Sequence, residues 1–132
     1  GSNRVFYDLD TTNHVLTVTW DDVGYYSGHT DKADAFQVQL IGTTDGNFDI
    51  VFHYEDINWT TGDASGGNHG LGGTVATAGY SDGEGQGCQL SQSVTSDMLD
   101  LESIIGNTGL PGTDVFAAQE WTVLPLALPR AA

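Results

Sequence analysis

Carboxylates lie close together in two stretches of the sequence, one near its start and one around residue 30. The second stretch also contains an imidazole. Such oxygen-rich groups are the ligands that calcium prefers, although neither stretch has the full EF-hand spacing because no glutamate follows at the twelfth position. A solvated surface role is the alternative for each carboxylate. The predicted calcium ligands are His29, Asp31 and Asp34 in one stretch, and Asp8 and Asp10 in the other.

Catalytic chemistry has no comparable signature. The four histidines lie in no G-x-S-x-G, H-E-x-x-H or Cys-His motif. The eighteen acidic residues are too many to single out the close carboxylate pair that a glycoside hydrolase needs. We therefore expect no catalytic residues, and an extracellular glycan hydrolase stays as a third hypothesis.

A glycine-rich loop follows Thr61, with six glycines in residues 62–73. It contains no lysine and leads into a predicted strand, so it does not fit a phosphate-binding P-loop. Leu71 stands where a calcium-binding β-roll repeat needs an aspartate. We expect the glycines to let the loop pack close to a sheet. The residues predicted to contact a partner are Asp63, Asn68 and His69 of this loop, with the aromatic pair Tyr25 and Tyr26.

The charge and composition of the chain limit the kinds of partner that it can bind. A formal net charge of -15 repels phosphate backbones and anionic membranes, which excludes nucleic acid as a partner. No apolar run reaches the roughly 20 residues that span a bilayer, so we expect no membrane insertion. Cys88 is the single cysteine, which excludes an internal disulfide; it is either a buried apolar group or a link between two copies.

The elements that position these residues are predicted to be strands. Apolar and polar residues alternate on both sides of Asp45-Gly46, which indicates a hairpin over residues 36–54. Residues 22–34 have no period and are predicted to form a long loop, while residues 96–105 are the one place for a short helix. The fold prediction is all-β: an antiparallel β-sandwich with long glycine-rich loops and at most one short helix.

The length of 132 residues suits one domain. We divide the chain into residues 1–3, an N-terminal extension or cloning remnant, residues 4–123, the β-sandwich, and residues 124–132, an apolar C-terminal tail. That tail could add as a strand to the sheet of a neighbouring copy. The residues predicted to form this assembly strand are Val123, Leu124, Leu126 and Leu128.

Five blocks of sequence resemble the nidogen-like extracellular domain, also called the NIDO domain, and their wording is closest to bacterial members. The blocks are VTWDDVGYY at residues 18–26, FQVQLI at 36–41, FDIVFHYEDINWTTGDASGG at 48–67, GLGGTVATAGYSDG at 70–83 and NTGLPGTDVF at 107–116. Gly106 stands where the family usually has a serine, and Thr113-Asp114 where an arginine and an aromatic are common.

The resemblance implies an extracellular, secreted or cell-surface module of adhesive or matrix proteins. It carries over no catalytic residue. The calcium prediction comes from the acidic stretches described above, and no other cofactor is expected. The expected partner is an extracellular protein or glycan, or a copy of the chain itself. The alternative hypothesis is a self-assembling filament or surface-layer subunit.

Overall fold

Alternation of apolar and polar residues in the first half of the chain produces long antiparallel strands. A computed structural model describes residues 1–118. Its strands are β1 (Arg4–Asp10), β2 (Val15–Tyr25), β3 (His29–Gly42), β4 (Phe48–Asp56), β5 (Gly79–Ser81), β6 (Gly87–Gln89) and β7 (Thr113–Ala118). Within this range the helices are two short 3-10 helices, Asp63–Ser65 and Ser96–Asp100, and no helix is long and apolar enough to cross a membrane. The all-β antiparallel prediction is confirmed.

The larger sheet has five strands in the order β1-β2-β3-β4-β7, and every neighbouring pair is antiparallel. Phe36 of β3 lies between Trp20 of β2 and Tyr54 of β4. The hairpin predicted over residues 36–54 is therefore present, with its alternating apolar residues on the face predicted from the sequence.

The hydrophobic core lies on that face, over β4 and β7. Phe116 is 2% exposed and packs edge-on against Phe52 with ring centroids 5.8 Å apart. The second layer consists of the two-stranded β5-β6 sheet, the 3-10 helix Ser96–Asp100 and irregular segments. Tyr80 of β5 reaches Phe116 at 5.4 Å, so a small hairpin takes the place that a full second sheet has in a larger sandwich.

The long loop predicted at residues 22–34 is wrong, because β2 continues to Tyr25 and β3 begins at His29. Register shifts flank Val23, and a β-bulge of this kind breaks the alternation by which strands are recognised. Gly24 adds to the loop-like composition, yet a Cβ atom there would collide with the carbonyl oxygen of His29. The glycine therefore permits the close approach of the two strands.

The opposite face of the sheet carries a row of polar side chains. Gln37 donates to the Thr19 hydroxyl over 2.8 Å, and Gln39 donates to the Thr17 hydroxyl over 3.2 Å. His53 of β4 lies 3.2 Å from Gln39 Oε1. These cross-strand hydrogen bonds hold β2, β3 and β4 in register and make this face hydrophilic.

Candidate functional site

The end of the β2-β3 hairpin meets the glycine-rich loop after β4, and side chains from both form one surface. We call it the loop cluster. Its members are Tyr25, Tyr26, His29, Asp31 and Lys32 of the hairpin and Trp59, Asp63, Asn68, His69 and Gly70 of the segment after β4. Residues expected in two separate roles, calcium ligation and partner contact, are thereby brought together.

Tyr25 supports the loop cluster from beneath. It is 3% exposed, and its hydroxyl donates to Asp31 Oδ1 over 2.8 Å. Its ring stacks on His29 with centroids 4.6 Å apart and lies 5.9 Å from the ring of Trp59. Burial, and then the hydrogen bond to Asp31, raise the pKa of Tyr25 to about 12. Tyr25 therefore stays protonated and holds the Asp31 carboxylate, whose pKa this hydrogen bond lowers.

The start of the glycine-rich segment is fixed by a buried carboxylate. Asp34 Oδ1 accepts hydrogen bonds from the backbone amides of Asn58 at 2.7 Å and Trp59 at 3.0 Å. The Trp59 indole in turn donates to the carbonyl oxygen of Val23 over 2.9 Å. Burial raises the pKa of Asp34 to about 6 and outweighs the two amides, which lower it.

Gly70 brings the loop against this aromatic support. Its φ is +82°, and a Cβ atom built there would lie 2.8 Å from Trp59 Cβ and 3.3 Å from Tyr25 Cε1. Its carbonyl oxygen accepts from the amides of Thr60 and Thr61 at 2.8 and 3.0 Å. The close packing expected of the glycines is thus present at Gly70.

Polar contacts connect the exposed rim of the loop cluster across the two segments. His29 Nε2 lies 2.7 Å from Asp63 Oδ2, an ion pair when the imidazole is protonated. The Asp63 amide donates to the Tyr26 carbonyl over 3.0 Å, and Lys32 Nζ donates to the His69 carbonyl over 2.5 Å. Tyr26 itself is 67% exposed. The rim therefore presents an aromatic ring, carboxylates and imidazoles on a backbone that these hydrogen bonds hold in place.

The predicted calcium ligands do not converge. Within residues 1–118 no three His, Cys, Asp or Glu side chains are grouped as ligands of one metal ion. Asp31 and Asp34 are engaged as described, and Asp10 accepts from the Asn13 side-chain amide at 2.7 Å, which lowers the pKa of Asp10. Asp8 is exposed on β1. Calcium binding stays a prediction that rests on the acidic surface.

Two further predictions concern association. Cys88 is a half-buried thiol on β6, with Sγ 3.8 Å from the Gln89 carbonyl oxygen, and its disulfide to another copy stays a prediction. The assembly strand of Val123, Leu124, Leu126 and Leu128 lies outside the described residues.

Sequence reasoning did not assign Lys32, Trp59 or Gly70 to the site. Lys32 is one of three basic residues in the chain, and that rarity near a run of aspartates was the available signal. Trp59 is one of three tryptophans in the chain, but its hydrogen bond to the Val23 carbonyl depends on tertiary packing. Nothing in the sequence distinguishes Gly70 from the five other glycines of the loop.

A cleft of about 220 Å³ adjoins the loop cluster between the sheet and residues 76–79. Its lining is mainly apolar and includes Phe36, Val38, Ile57 and Met98. Among residues 1–118 the carboxylate that lines it is Asp34.

A five-stranded antiparallel sheet under a small two-stranded second layer places the chain in the class of layered all-β domains. The chain belongs to the nidogen-like domain family, whose profile matches residues 3–120. The family resemblance and the extracellular location expected from the sequence are confirmed by this membership. The nidogen-like domains of the relatives described below are matrix modules.

Curated relatives include alpha-tectorin from Gallus gallus, 39% identical over 107 residues, which are 77% of this chain. Alpha-tectorin from Homo sapiens is 36% identical over 120 residues, or 86% of this chain. Nidogen from Drosophila melanogaster is 34% identical over 104 residues, or 77% of this chain. The matched region is 5% of each alpha-tectorin and 7% of the nidogen. Among solved structures no significant match was found.

Proposed function

We propose that this domain is a non-catalytic extracellular adhesion or matrix module that binds an extracellular protein or glycan through the loop cluster. The observation that carries the proposal is the contrast between a buried support and an exposed rim. Tyr25 and Gly70 are buried, whereas Tyr26 and Asp63 reach solvent. Side chains presented on a fixed backbone lose little entropy on binding, which favours recognition.

Charge indicates the chemistry of the partner. The net charge of -15 repels sulfated or phosphorylated surfaces, so a neutral glycan or a basic protein surface fits best. Tyr26 supplies an exposed aromatic ring for stacking, and Asp63 supplies a carboxylate for hydrogen bonds or a cation. Within residues 1–118 a single carboxylate lines the cleft beside the loop cluster, whereas glycoside hydrolysis uses two, and this favours a non-catalytic role over a hydrolase.

The test is a binding screen of the 132-residue chain against arrays of neutral glycans, sulfated glycans and purified extracellular proteins. We expect a binder whose signal falls by about tenfold or more in Tyr26→Ala and Asp63→Ala, since few residues carry most of the binding energy. Leu110→Ala changes a 60% exposed side chain in a different loop and serves as the control. Binding that is equal in all four proteins would place the contact elsewhere.

Calcium stabilisation belongs to the same proposal and rests on the acidic surface. A cation that binds only the folded state raises its stability. We therefore expect a higher melting temperature in millimolar calcium than in excess chelator. Equal melting temperatures in the two buffers would remove calcium from the proposal.

Self-assembly through the C-terminal strand is the alternative function, and it is a proposal from the sequence alone. Electron microscopy of the purified chain in calcium-containing buffer tests it. Filaments or layers would favour assembly, whereas free particles alone would rule it out.

A further inference from the structure

The edge strand β1 exposes an unusual amount of apolar surface. Within residues 1–118 it pairs with β2 on one side and with no strand on the other. Four of its apolar side chains are exposed: Val5 at 55%, Phe6 at 48%, Tyr7 at 81% and Leu9 at 61%. Within residues 1–118 the second layer packs on β3, β4 and β7, and no residue of β1 belongs to the core cluster.

Proteins usually protect such an edge with charged side chains, especially lysine, or with proline, a bulge or a very short strand. β1 carries the charged residues Arg4, Asp8 and Asp10 but has none of the other features. It contains no lysine or proline, and its register with β2 runs without a shift from Arg4 to Asp10. A regular strand of 7 residues with a free edge is a template for pairing with another strand.

The ends and the centre of β1 are complementary to those of a second copy when the two run antiparallel about Tyr7. In that register Arg4 lies opposite Asp10 of the second copy, Val5 lies opposite Leu9, and the two Tyr7 rings meet. Phe6 lies opposite Asp8, a pair that adds no favourable contact. Each unlike pair occurs twice because the arrangement has two-fold symmetry. Opposite charges and apolar residues that face each other across strands stabilise a sheet.

We propose that two copies of this chain associate through antiparallel pairing of their β1 strands, centred on Tyr7. The two five-stranded sheets then form one continuous sheet. The occupant of the edge is a second copy because the two ends of β1 carry opposite charges, Arg4 and Asp10, which face each other when two copies run antiparallel.

The dimer would present its two β2-β3 turns at opposite ends, because paired β1 strands run antiparallel and each β2-β3 turn lies beyond one end of β1. Two loop clusters facing in opposite directions allow one dimer to connect two partner molecules. This consequence rests on the proposed function. The pairing itself does not, and it is tested without any partner.

Cysteine cross-linking tests the register. In a Cys88→Ala background, Tyr7→Cys places two thiols opposite each other at the two-fold axis, within disulfide distance across neighbouring strands. We expect Y7C to form a covalent dimer under mild oxidation and the matched Leu9→Cys protein to stay monomeric. A mixture of Val5→Cys and Leu9→Cys chains should cross-link as a heterodimer. Equal cross-linking of Y7C and L9C, or none with Y7C, would overturn the proposal.

The second test removes the pairing by charge. Tyr7→Lys puts two like charges at the centre of the interface, and we expect the dimer dissociation constant to rise at least about tenfold. Tyr26→Lys changes a comparably exposed tyrosine away from β1 and is the matched control. Masses are measured by sedimentation from micromolar to millimolar protein, in reducing buffer so that Cys88 cannot link copies.

The expected result is a concentration-dependent dimer for the natural chain and Y26K, and a monomer for Y7K with an unchanged circular dichroism spectrum. A natural chain that is monomeric at every concentration would overturn the proposal. A Y7K protein that still dimerises would also overturn it, since another surface would then hold the copies together.

Discussion

Asp34 is a buried carboxylate whose hydrogen bonds hold the backbone at Asn58 and Trp59. Burial dominates its titration, so its pKa in the folded protein is about 6 instead of the usual value near 4. Between these values the folded state binds a proton that the unfolded state has released. The contribution of Asp34 to stability is therefore complete below pH 4 and is lost as the pH rises through 6.

We predict that Asp34→Asn weakens this pH dependence. The natural protein should lose about 2 kcal/mol of unfolding free energy from this group as the pH rises from about 4 to about 7, and the variant should not. Asp56 and Glu102 also raise the pKa of Asp34 and are unchanged in the variant. Urea denaturation at several pH values provides the measurement. Parallel stability curves for the two proteins would show that Asp34 titrates normally.

The glycine-rich loop packs closely against the aromatic residues beneath it at one position, Gly70. Gly70 combines a positive φ with packing against Trp59 and Tyr25, so a methyl group there meets both backbone strain and a steric clash. Gly72 has a φ of +74° and nothing within 4 Å of a built Cβ atom. Alanine at Gly70 would meet both the positive φ and the steric clash, whereas alanine at Gly72 would meet the positive φ alone. Comparing the two substitutions therefore measures the cost of the clash.

We predict that Gly70→Ala lowers the unfolding free energy by about 2–4 kcal/mol, the sum of left-handed strain and overpacking. Gly72→Ala should cost about 1 kcal/mol, from strain alone. Chemical denaturation of both variants and the natural chain measures the difference. Equal losses would mean that the contact with Trp59 and Tyr25 relaxes freely.

The hairpin of β3 and β4 could be predicted from the sequence because an apolar residue stands at every second position of residues 36–40 and 48–54. The β2-β3 turn could not, since the bulges around Val23 remove the period and Gly24 suggests a loop. Short strands near β5 and β6 could also be predicted from the sequence, at residues 75–80 and 88–90. Their role as a second layer could not, because strands of 3 residues are too short for alternation to indicate which face packs on the sheet.

At the scale of the whole molecule, the candidate site joins two parts of the chain that the sequence keeps apart. His29 and Asp31 were read as metal ligands, and Asp63 and His69 as partner contacts. Their proximity depends on the bulged hairpin, on the hydrogen bond from the Asn58 amide to Asp34, and on the close packing of Gly70 against Trp59. Each of these is a long-range packing effect that no local pattern encodes. The candidate residues could therefore be named from the sequence, but their arrangement could not.

Hydrogen-deuterium exchange with and without the binder identified by the array tests the central claim most directly, because it maps the covered surface on the unaltered chain. We predict slower exchange in residues 25–31 and 62–73 on binding, with β4, β7 and residues 105–112 unchanged. Protection at residues 105–112 or at β5 and β6, with no change at the loop cluster, would contradict the assignment of the loop cluster as the binding surface.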